Sequence, residues 1–310
     1  MPIALDPYKL GYLKSLVRVA KDNYRTAAPQ LYQMAAPGFG YGTIDSAYEQ
    51  IIRMPLLEAT LPRVDNKGDV SPALTPPEPK PLTVEGSVYR ARMEYFWEDL
   101  VDDKWGFWKR QAQAFGTNIQ RTIELVAHEI FNNPTIVSGW DNQPLASTTH
   151  QLESGGTYDN TLPAQPPSEA PLEQILDYFS NVPTAYGYPQ MVRRIYIVTG
   201  DTYARRWAQI LGSPTAIAHP FNPSTTPNQN PNIKPLVTSA DGRITVVVAP
   251  YLVNKDHQFA IGEDHELFFK VRWEYDKMYE RNDPPSYVHI NGVKIFNGWG
   301  DARRVLTITS

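Results

Sequence analysis

The longest regular pattern of apolar residues predicts an amphipathic α-helix from Trp108 to Phe131. Apolar residues recur there every three or four positions, the spacing that places them along one face of a helix. At about 1.5 Å per residue, the predicted helix is roughly 36 Å long. The segment Asn132-Asn133-Pro134 predicts its end, because proline cannot continue the backbone hydrogen-bond ladder. The predicted buried face comprises Trp108, Ala112, Phe115, Ile119, Ile123, Val126 and Ile130.

A strand pattern precedes this helix. Side chains from Val88 to Trp97 alternate, with Tyr89 and Tyr95 on one face and Arg90 and Arg92 on the other. Together with an apolar segment at 51–64, this predicts a long β-hairpin with a proline-rich tip. A two-stranded hairpin is marginally stable alone, so we expect it to lie on another surface. An ordinary edge hairpin within one domain is the alternative.

The N-terminal residues 1–50 are predicted to form an arm with a helix around 7–23. Such an arm has little core of its own, so we expect poor order in isolation. Beyond the long helix, the patterns predict a mixed α/β unit and then a β-rich segment from Gln258 onward. Asn291-Gly292 in that last segment predicts a hairpin turn. The other predicted elements are helices at 172–179 and 203–211, strands at 194–199, 244–249 and 269–275, and a surface loop at 219–235.

Composition narrows the class of protein. The 310 residues are 42% hydrophobic and 20% charged, which indicates a folded chain of one large or two ordinary domains. There are no cysteines, which excludes disulfides, thiolate nucleophiles and cysteine-metal sites. No apolar run approaches the roughly 20 residues of a membrane helix. The net charge of -4, without any long basic run, argues against sequence-specific DNA binding.

Two groups of residues suggest catalytic chemistry. Asp256, His257, Asp264 and His265 are the nearest approach to a metal cluster, so a metal-dependent hydrolase is one hypothesis. Solvated turn residues are the other interpretation of this group. No phosphate-binding loop or dinucleotide fingerprint occurs, and no cofactor is expected.

The second group lies in the polar loop Gly139–His150, where Asp141, Ser147 and His150 suggest a nucleophile with its base and orienting acid. The nucleophile elbow G-x-S-x-G is absent from this loop. The sequence therefore favours a turn made by Asp141 and backbone hydrogen bonds made by Ser147 and His150. No catalytic residue and no metal ligand is predicted.

The order of a long helix, an Asn-Pro stop and this polar loop resembles the major capsid proteins of tailed phages. The loop is similar to D-G-x-x-L-F-S-T-x-H of the Mu-like branch of the Hong Kong 97 fold. Two positions depart from that pattern: Asn142 stands where the branch usually has glycine, and Ala146 where it usually has an aromatic residue.

The resemblance implies an α+β capsid fold of the Hong Kong 97 type. It implies an N-terminal arm (1–50), an extended β-hairpin loop (51–104), a peripheral domain with the spine helix (105–134 and 253–310) and an axial domain (135–252). The expected function is self-assembly as pentamers and hexamers into the icosahedral head that encloses double-stranded DNA. No enzymatic activity is expected. An encapsulin-type compartment shell is the alternative.

The resemblance also implies partners and a location. The chain is expected to bind copies of itself, a scaffolding protein, a portal and a decoration protein, and to enclose DNA without sequence-specific binding. A separate scaffolding protein is expected because no extra segment of roughly 100 residues precedes the arm. The expected location is the virion capsid, and the host cytoplasm during assembly.

Charged residues on the hairpin and on the helix at 203–211 are the candidates for contacts between subunits. Arginine pairs of this kind bind phosphate groups, form ion pairs with a neighbour or remain solvated, and the sequence leaves these alternatives open. The six candidates are Lys67, Asp69, Arg90, Arg92, Arg205 and Arg206.

Overall fold

The computed structural model describes most of the chain in segments. Its residues are 12, 14–16, 18, 20, 40–43, 49–53, 80–96, 98–99, 106–135, 139–212, 244–282 and 285–309. The predicted loop at 219–235 and the candidates Lys67 and Asp69 lie outside these residues.

Three helices and fifteen strands are named within the described residues. The helices are α1 (Phe107–Asn132), α2 (Glu169–Ser180) and α3 (Asp201–Gly212). The strands are β1 (Gly40–Thr43), β2 (Glu49–Arg53), β3 (Lys80–Val84), β4 (Ser87–Phe96), β5 (His150–Gln151), β6 (Thr157–Tyr158), β7 (Thr161–Pro163), β8 (Val182–Pro183), β9 (Pro189–Gln190), β10 (Ile195–Thr199), β11 (Ile244–Val248), β12 (Gln258–Gly262), β13 (Leu267–Asn282), β14 (Pro285–Trp299) and β15 (Val305–Thr309).

Helix α1 confirms the long predicted helix within one residue at each end. All seven residues of the predicted apolar face are buried or half-buried. At the C-terminus the Asn133 amide donates to the Glu129 carbonyl before Pro134 ends the helix. The periodic pattern therefore fixed both the extent and the buried side of α1.

Helix α1 packs on a four-stranded sheet with the order β1-β13-β14-β4. The predicted turn at Asn291-Gly292 is wrong, because both residues lie inside β14 and pair with β13 and β4. The β13 register shifts between Trp273 and Tyr275, next to this segment. A bulge accommodates a local irregularity without ending a strand, and pairing on both sides keeps the backbone extended.

The predicted hairpin is present in part, with a different partner for its return strand. β2 pairs with β3 in antiparallel fashion, whereas β4 pairs with β14. The predicted pairing of 51–53 with the return strand is therefore wrong, and residues 54–64 lie outside the described residues. The physical reason is the apolar face of β4: Tyr95 is fully buried against Leu16, Ala112 and Tyr287, which a free hairpin would leave exposed.

The second sheet has five strands in the order β11-β10-β12-β15-β7, with β10 and β11 parallel. Helix α2 packs on this sheet, and its buried residues Leu172 and Ile175 share a core with Ile195 and Ile308. The predicted division between residues 252 and 253 falls inside this sheet, since β10 and β11 precede it while β12 and β15 follow it. The peripheral and axial assignments of these parts stay predictions.

The described helical positions near the N-terminus contribute to the core of their own chain. Residues 12, 14–16, 18 and 20 are helical, in agreement with the predicted helix around 7–23. Leu16 is 1% exposed and Ala20 is fully buried. This part of the predicted arm therefore has packing partners within the chain, which its sequence did not indicate.

Candidate functional site

The polar loop that carries the capsid resemblance starts where α1 ends. The Ala146 amide donates to the Pro134 carbonyl at 2.9 Å, which closes the loop beneath the helix. Gly139 lies directly against the buried indole of Trp299 in β14. A loop of this length therefore folds back onto the core between the two sheets rather than extending from it.

Asp141 and His150 form a buried polar pair that joins the two ends of the loop. His150 Nδ1 lies 2.7 Å from Asp141 Oδ2, with the two side chains 0% and 1% exposed. The Gln143 amide also donates to Asp141 Oδ1, which makes the turn expected from the sequence. Burial alone would raise the pKa of Asp141, but the hydrogen bonds from His150 and from backbone amides outweigh it and lower that pKa. The charged carboxylate of Asp141 therefore stabilises the loop through hydrogen bonds in its interior.

Asn142 shows why glycine is the usual residue at its position in the resembled loop. Its φ is 59°, in the left-handed region that glycine adopts freely and asparagine tolerates better than most residues.

Substitutions at Asn142 test this backbone requirement. We expect Asn142→Gly to change the free energy of unfolding by less than about 0.5 kcal/mol, and Asn142→Ala to reduce it by about 1 kcal/mol. Urea denaturation measures both values, and equal values for the two variants would contradict the strain argument.

Asn160 connects this loop to the five-stranded sheet. It is fully buried, and its Nδ2 donates to the Leu145 carbonyl at 2.7 Å and to the Val305 carbonyl at 3.0 Å. Its Oδ1 accepts from the Ser147 amide at 3.0 Å. The backbone carbonyl of Asn160 accepts from the Thr307 amide. One side chain thus joins the loop and strand β15.

Aromatic and charged side chains enclose the His150 ring. Tyr158 stacks on it with ring centroids 5.0 Å apart, and Trp299 meets it edge-on. The Tyr158 hydroxyl donates to Asp301, which also forms a largely buried ion pair with Arg303. Burial and the Asp301 charge raise the pKa of Tyr158, so this phenol stays neutral. Burial lowers the pKa of Arg303, but Asp301 outweighs it and the net shift is upward.

Ser147 and His150 are not arranged as a nucleophile and its base. His150 Nε2 faces the Leu145 carbonyl at 3.3 Å, whereas Ser147 Oγ contacts Gln143 and the Thr149 amide. Within the described loop, no hydrogen bond joins Ser147 to His150. The three residues have the turn and backbone roles that the sequence favoured.

The residues of the metal-hydrolase hypothesis are used in turns. His265 Nδ1 accepts from the Leu267 amide, and Asp264 forms an ion pair with Arg304 at 3.3 Å. The Asp256 amide donates to Asn254. Across the described ranges, no three histidine or acidic side chains are grouped as metal ligands would be. The hydrolase hypothesis is therefore not favoured.

His265 makes the fold sensitive to acid. Burial lowers its pKa to about 4 against the opposing effect of Asp264. The unfolded chain has a histidine pKa near 6.5, so it binds more protons than the folded chain between those two values. The contribution of neutral His265 to the free energy of unfolding is therefore fully present above pH 6.5. It decreases by roughly 3 kcal/mol as the pH falls towards 4.

Replacing His265 with asparagine tests this linkage, because an amide oxygen can still accept from the Leu267 amide. We expect a shallower loss of stability between pH 6.5 and 4 in urea denaturation. An unchanged slope would show that other groups govern the acid sensitivity, such as His128 and His257, whose pKa values burial also lowers.

The four described contact candidates differ in their surroundings. Arg90 and Arg92 are exposed on β4. Arg205 pairs with Asp201 one helical turn away at 2.8 Å, with both side chains well exposed. Arg206 donates to the Pro167 carbonyl of its own chain at 2.9 Å. The structure does not bring these four together into one site.

Sequence reasoning missed Asn160, Tyr158, Asp301 and Arg303. Each of them has at least one partner more than 120 residues away, such as the Tyr178 hydroxyl that donates to the Arg303 carbonyl. Local spacing carries no signal for such contacts.

The described helices include none long and apolar enough to cross a membrane.

The comparison with family sequence models gives one match. The model described as "Phage capsid protein" matches residues 83–275, which is more than half of the chain. No curated protein sequence matches significantly.

Solved structures share the fold at low sequence identity. The capsid of an empty GTA particle, computed with C5 symmetry, has a TM-score of 0.55 and 8% identity, and the alignment covers 92% of this chain and 91% of that chain. A chain from Microbacterium phage Oxtober96 has a TM-score of 0.52 and 10% identity, with coverages of 88% and 89%. The mature capsid of bacteriophage PhiM1 has a TM-score of 0.51 and 12% identity, with coverages of 88% and 86%. These likenesses confirm the Hong Kong 97-type capsid fold.

Proposed function

Because this chain belongs to the phage capsid protein family, we propose that it builds an icosahedral head by self-assembly as pentamers and hexamers. The family match over residues 83–275 is the observation that carries this proposal, and it identifies a structural protein of the virion capsid. The fold similarity over about nine tenths of two known chains supports it. The head encloses double-stranded DNA without reading its sequence.

The proposed domain roles follow the family architecture. Residues 105–134 and 253–310 form the peripheral domain with the spine helix α1, and residues 135–252 form the axial domain. Residues 1–50 form the N-terminal arm and residues 51–104 the extended loop. Contacts by Arg90, Arg92, Arg205 and Arg206 with neighbours belong to this proposal, as do Lys67 and Asp69. A scaffolding protein, a portal and a decoration protein are proposed partners, with assembly in the host cytoplasm.

Several observations support membership of the Mu-like branch and a phage head rather than a cargo compartment. The loop Gly139–His150 has the buried Asp141–His150 pair, and Asn142 has the backbone conformation of the glycine it replaces. The matching family is described as a phage capsid protein, which favours a head over an encapsulin-type shell.

Electron microscopy tests the proposal directly. The full chain is expressed alone and together with its neighbouring genes, and the particles are separated by sedimentation. We expect rings of five or six subunits, or closed shells. A protein that stays monomeric under every assembly condition would overturn the proposal, and shells filled with an enzyme instead of DNA would favour the compartment.

A further inference from the structure

The four-stranded sheet has a basic face that helix α1 does not cover. Tyr89 and Tyr95 of β4 pack towards α1, so Arg90 and Arg92, at the alternate positions, lie on the opposite face. In the strand register, Val88 lies opposite Lys294, and Lys294 lies opposite Arg272. Residues in register share a face of the sheet.

Five cations of three neighbouring strands therefore form one basic stripe. They are Arg90, Arg92, Lys270, Arg272 and Lys294. The stripe crosses two strand spacings, which is about 10 Å. Glu94, whose carboxylate accepts from the Ser286 hydroxyl at 2.7 Å, is an acid on the same face. Lys294 also lies over the Phe296 ring at 5.4 Å, which places it on this face independently of the register.

Helix α2 carries the opposite charge. Glu169, Glu173 and Asp177 recur every fourth residue, and the helix contains no lysine or arginine. These three residues form an acidic ridge about 12 Å long, given 1.5 Å per residue. The other side of α2 is buried in the core of the five-stranded sheet, and Glu173 and Asp177 are exposed. Like charges at this spacing repel one another along a helix, and cations of a neighbouring surface would reduce that repulsion.

The charge balance of the whole chain identifies the class of partner. The five cations of the stripe and Glu94 together have a formal charge of +4. Because the formal net charge of the whole chain is -4, the other residues together carry -8. A nucleic acid approaching the stripe would be repelled by that remainder, whereas a second copy offers a matching acidic surface. Within one copy, the stripe lies on the four-stranded sheet and the ridge packs on the other sheet.

We propose that the acidic ridge of α2 in one copy docks onto the basic stripe of the next copy. Because the two surfaces differ, the contact is heterologous, and such contacts close into rings when the rotation allows it. The inference deepens the proposed capsid function, on which it rests, by assigning the partner surface of Arg90 and Arg92. Charge complementarity here sets the register and orientation of neighbours.

Reciprocal charge reversal tests this docking in the full chain. One variant carries Arg90→Glu and Arg92→Glu, a second carries Glu173→Lys and Asp177→Lys, and a third carries all four substitutions. We expect each pair alone to lower the assembled fraction at least about tenfold, and the combined variant to return to within about threefold of the original chain. Sedimentation and electron microscopy measure assembly, and circular dichroism confirms folding before assembly.

A matched control and the salt dependence separate this contact from a general charge effect. Lys109→Glu with Arg110→Glu makes the same charge change on exposed positions of α1, and we expect assembly to persist. An equal loss in this control would overturn the proposal. If a reversal variant does not fold, the original chain still provides a test, because raising NaCl from about 0.05 to 0.5 M should weaken capsomer formation. Salt-independent assembly would overturn the docking.

Other outcomes point to different conclusions. A combined variant that assembles no better than either half would overturn the docking, while the capsid function would stand if the original chain assembles. Normal shells of the Arg90→Glu, Arg92→Glu variant that lose DNA in a salt wash would assign the stripe to DNA, and would overturn the docking. An original chain that forms neither rings nor shells would overturn the proposed function itself.

Discussion

Replacing Asn160 with alanine is expected to reduce the free energy of unfolding by about 4 kcal/mol. The substitution removes three buried hydrogen bonds at once. It leaves the Ser147 amide and the Val305 carbonyl without those partners in the interior, where an unsatisfied group costs roughly 1 to 3 kcal/mol. The loss also loosens the polar loop Gly139–His150, because the Asn160 side chain connects that loop to β15. Urea denaturation of the purified variant measures the loss.

Two further variants serve as controls for Asn160→Ala. Asn160→Asp keeps the shape but cannot donate to both the Leu145 and Val305 carbonyls, so we expect no recovery. Asn181→Ala removes an asparagine side chain that donates to a backbone carbonyl on the exposed end of α2, and we expect a change of only about 0.5 kcal/mol. Similar losses at Asn160 and Asn181 would show that burial of the bonds is not what makes Asn160 important.

Replacing Gly139 with alanine is expected to cost about 3 kcal/mol, because the site is already filled. An added Cβ would lie 2.9 Å from Cζ2 of Trp299 and closer still to Cη2 and Cζ3. Trp299 is 1% exposed and packs in the main core, so its ring has little room to move. Relief of the clash requires either the loop or the indole to shift. The free energy of unfolding and the near-ultraviolet circular dichroism of the buried indole report the change.

A double-mutant cycle assigns the Gly139 effect to the indole. Trp299→Phe removes part of the ring, so the combined variant should lose less stability than the sum of the two single losses. Gly156→Ala is the matched control, since the nearest atom to its added Cβ is Leu152 Cδ1 at an ordinary 3.5 Å. Full additivity at positions 139 and 299 would contradict the contact.

The patterns that the sequence predicted well depend on neighbours within a few residues. The face of α1 repeats every three or four positions, and Pro134 ends it for a local reason, so both were evident from the chain. The turn role of Asp141 is equally local, because its carboxylate accepts from an amide two residues later. The resemblance that led to the capsid fold used the same local features: a helix, a stop and a loop.

Strand partners could not be predicted in the same way. The alternation of β4 identified its two faces correctly but did not indicate its pairing with β14. Asn291-Gly292 favours a turn in isolation, yet hydrogen bonding to strands on both sides keeps it extended. Local preference is worth about 1 kcal/mol per residue, and the backbone pairing of a central strand outweighs it.

The sequence by itself determined the long helix, the alternation that separates Tyr95 from Arg92, and the polar loop that resembles those of capsid proteins, because these follow from spacing along the chain. The tertiary structure alone decided which residues meet across more than a hundred positions, including Asn160 with Val305 and Gly139 with Trp299. It also gathered the cations of β4, β13 and β14 onto one face. The physical reason is that sheet register and core packing are fixed by the collective burial of distant segments, which leaves no periodic trace in either segment.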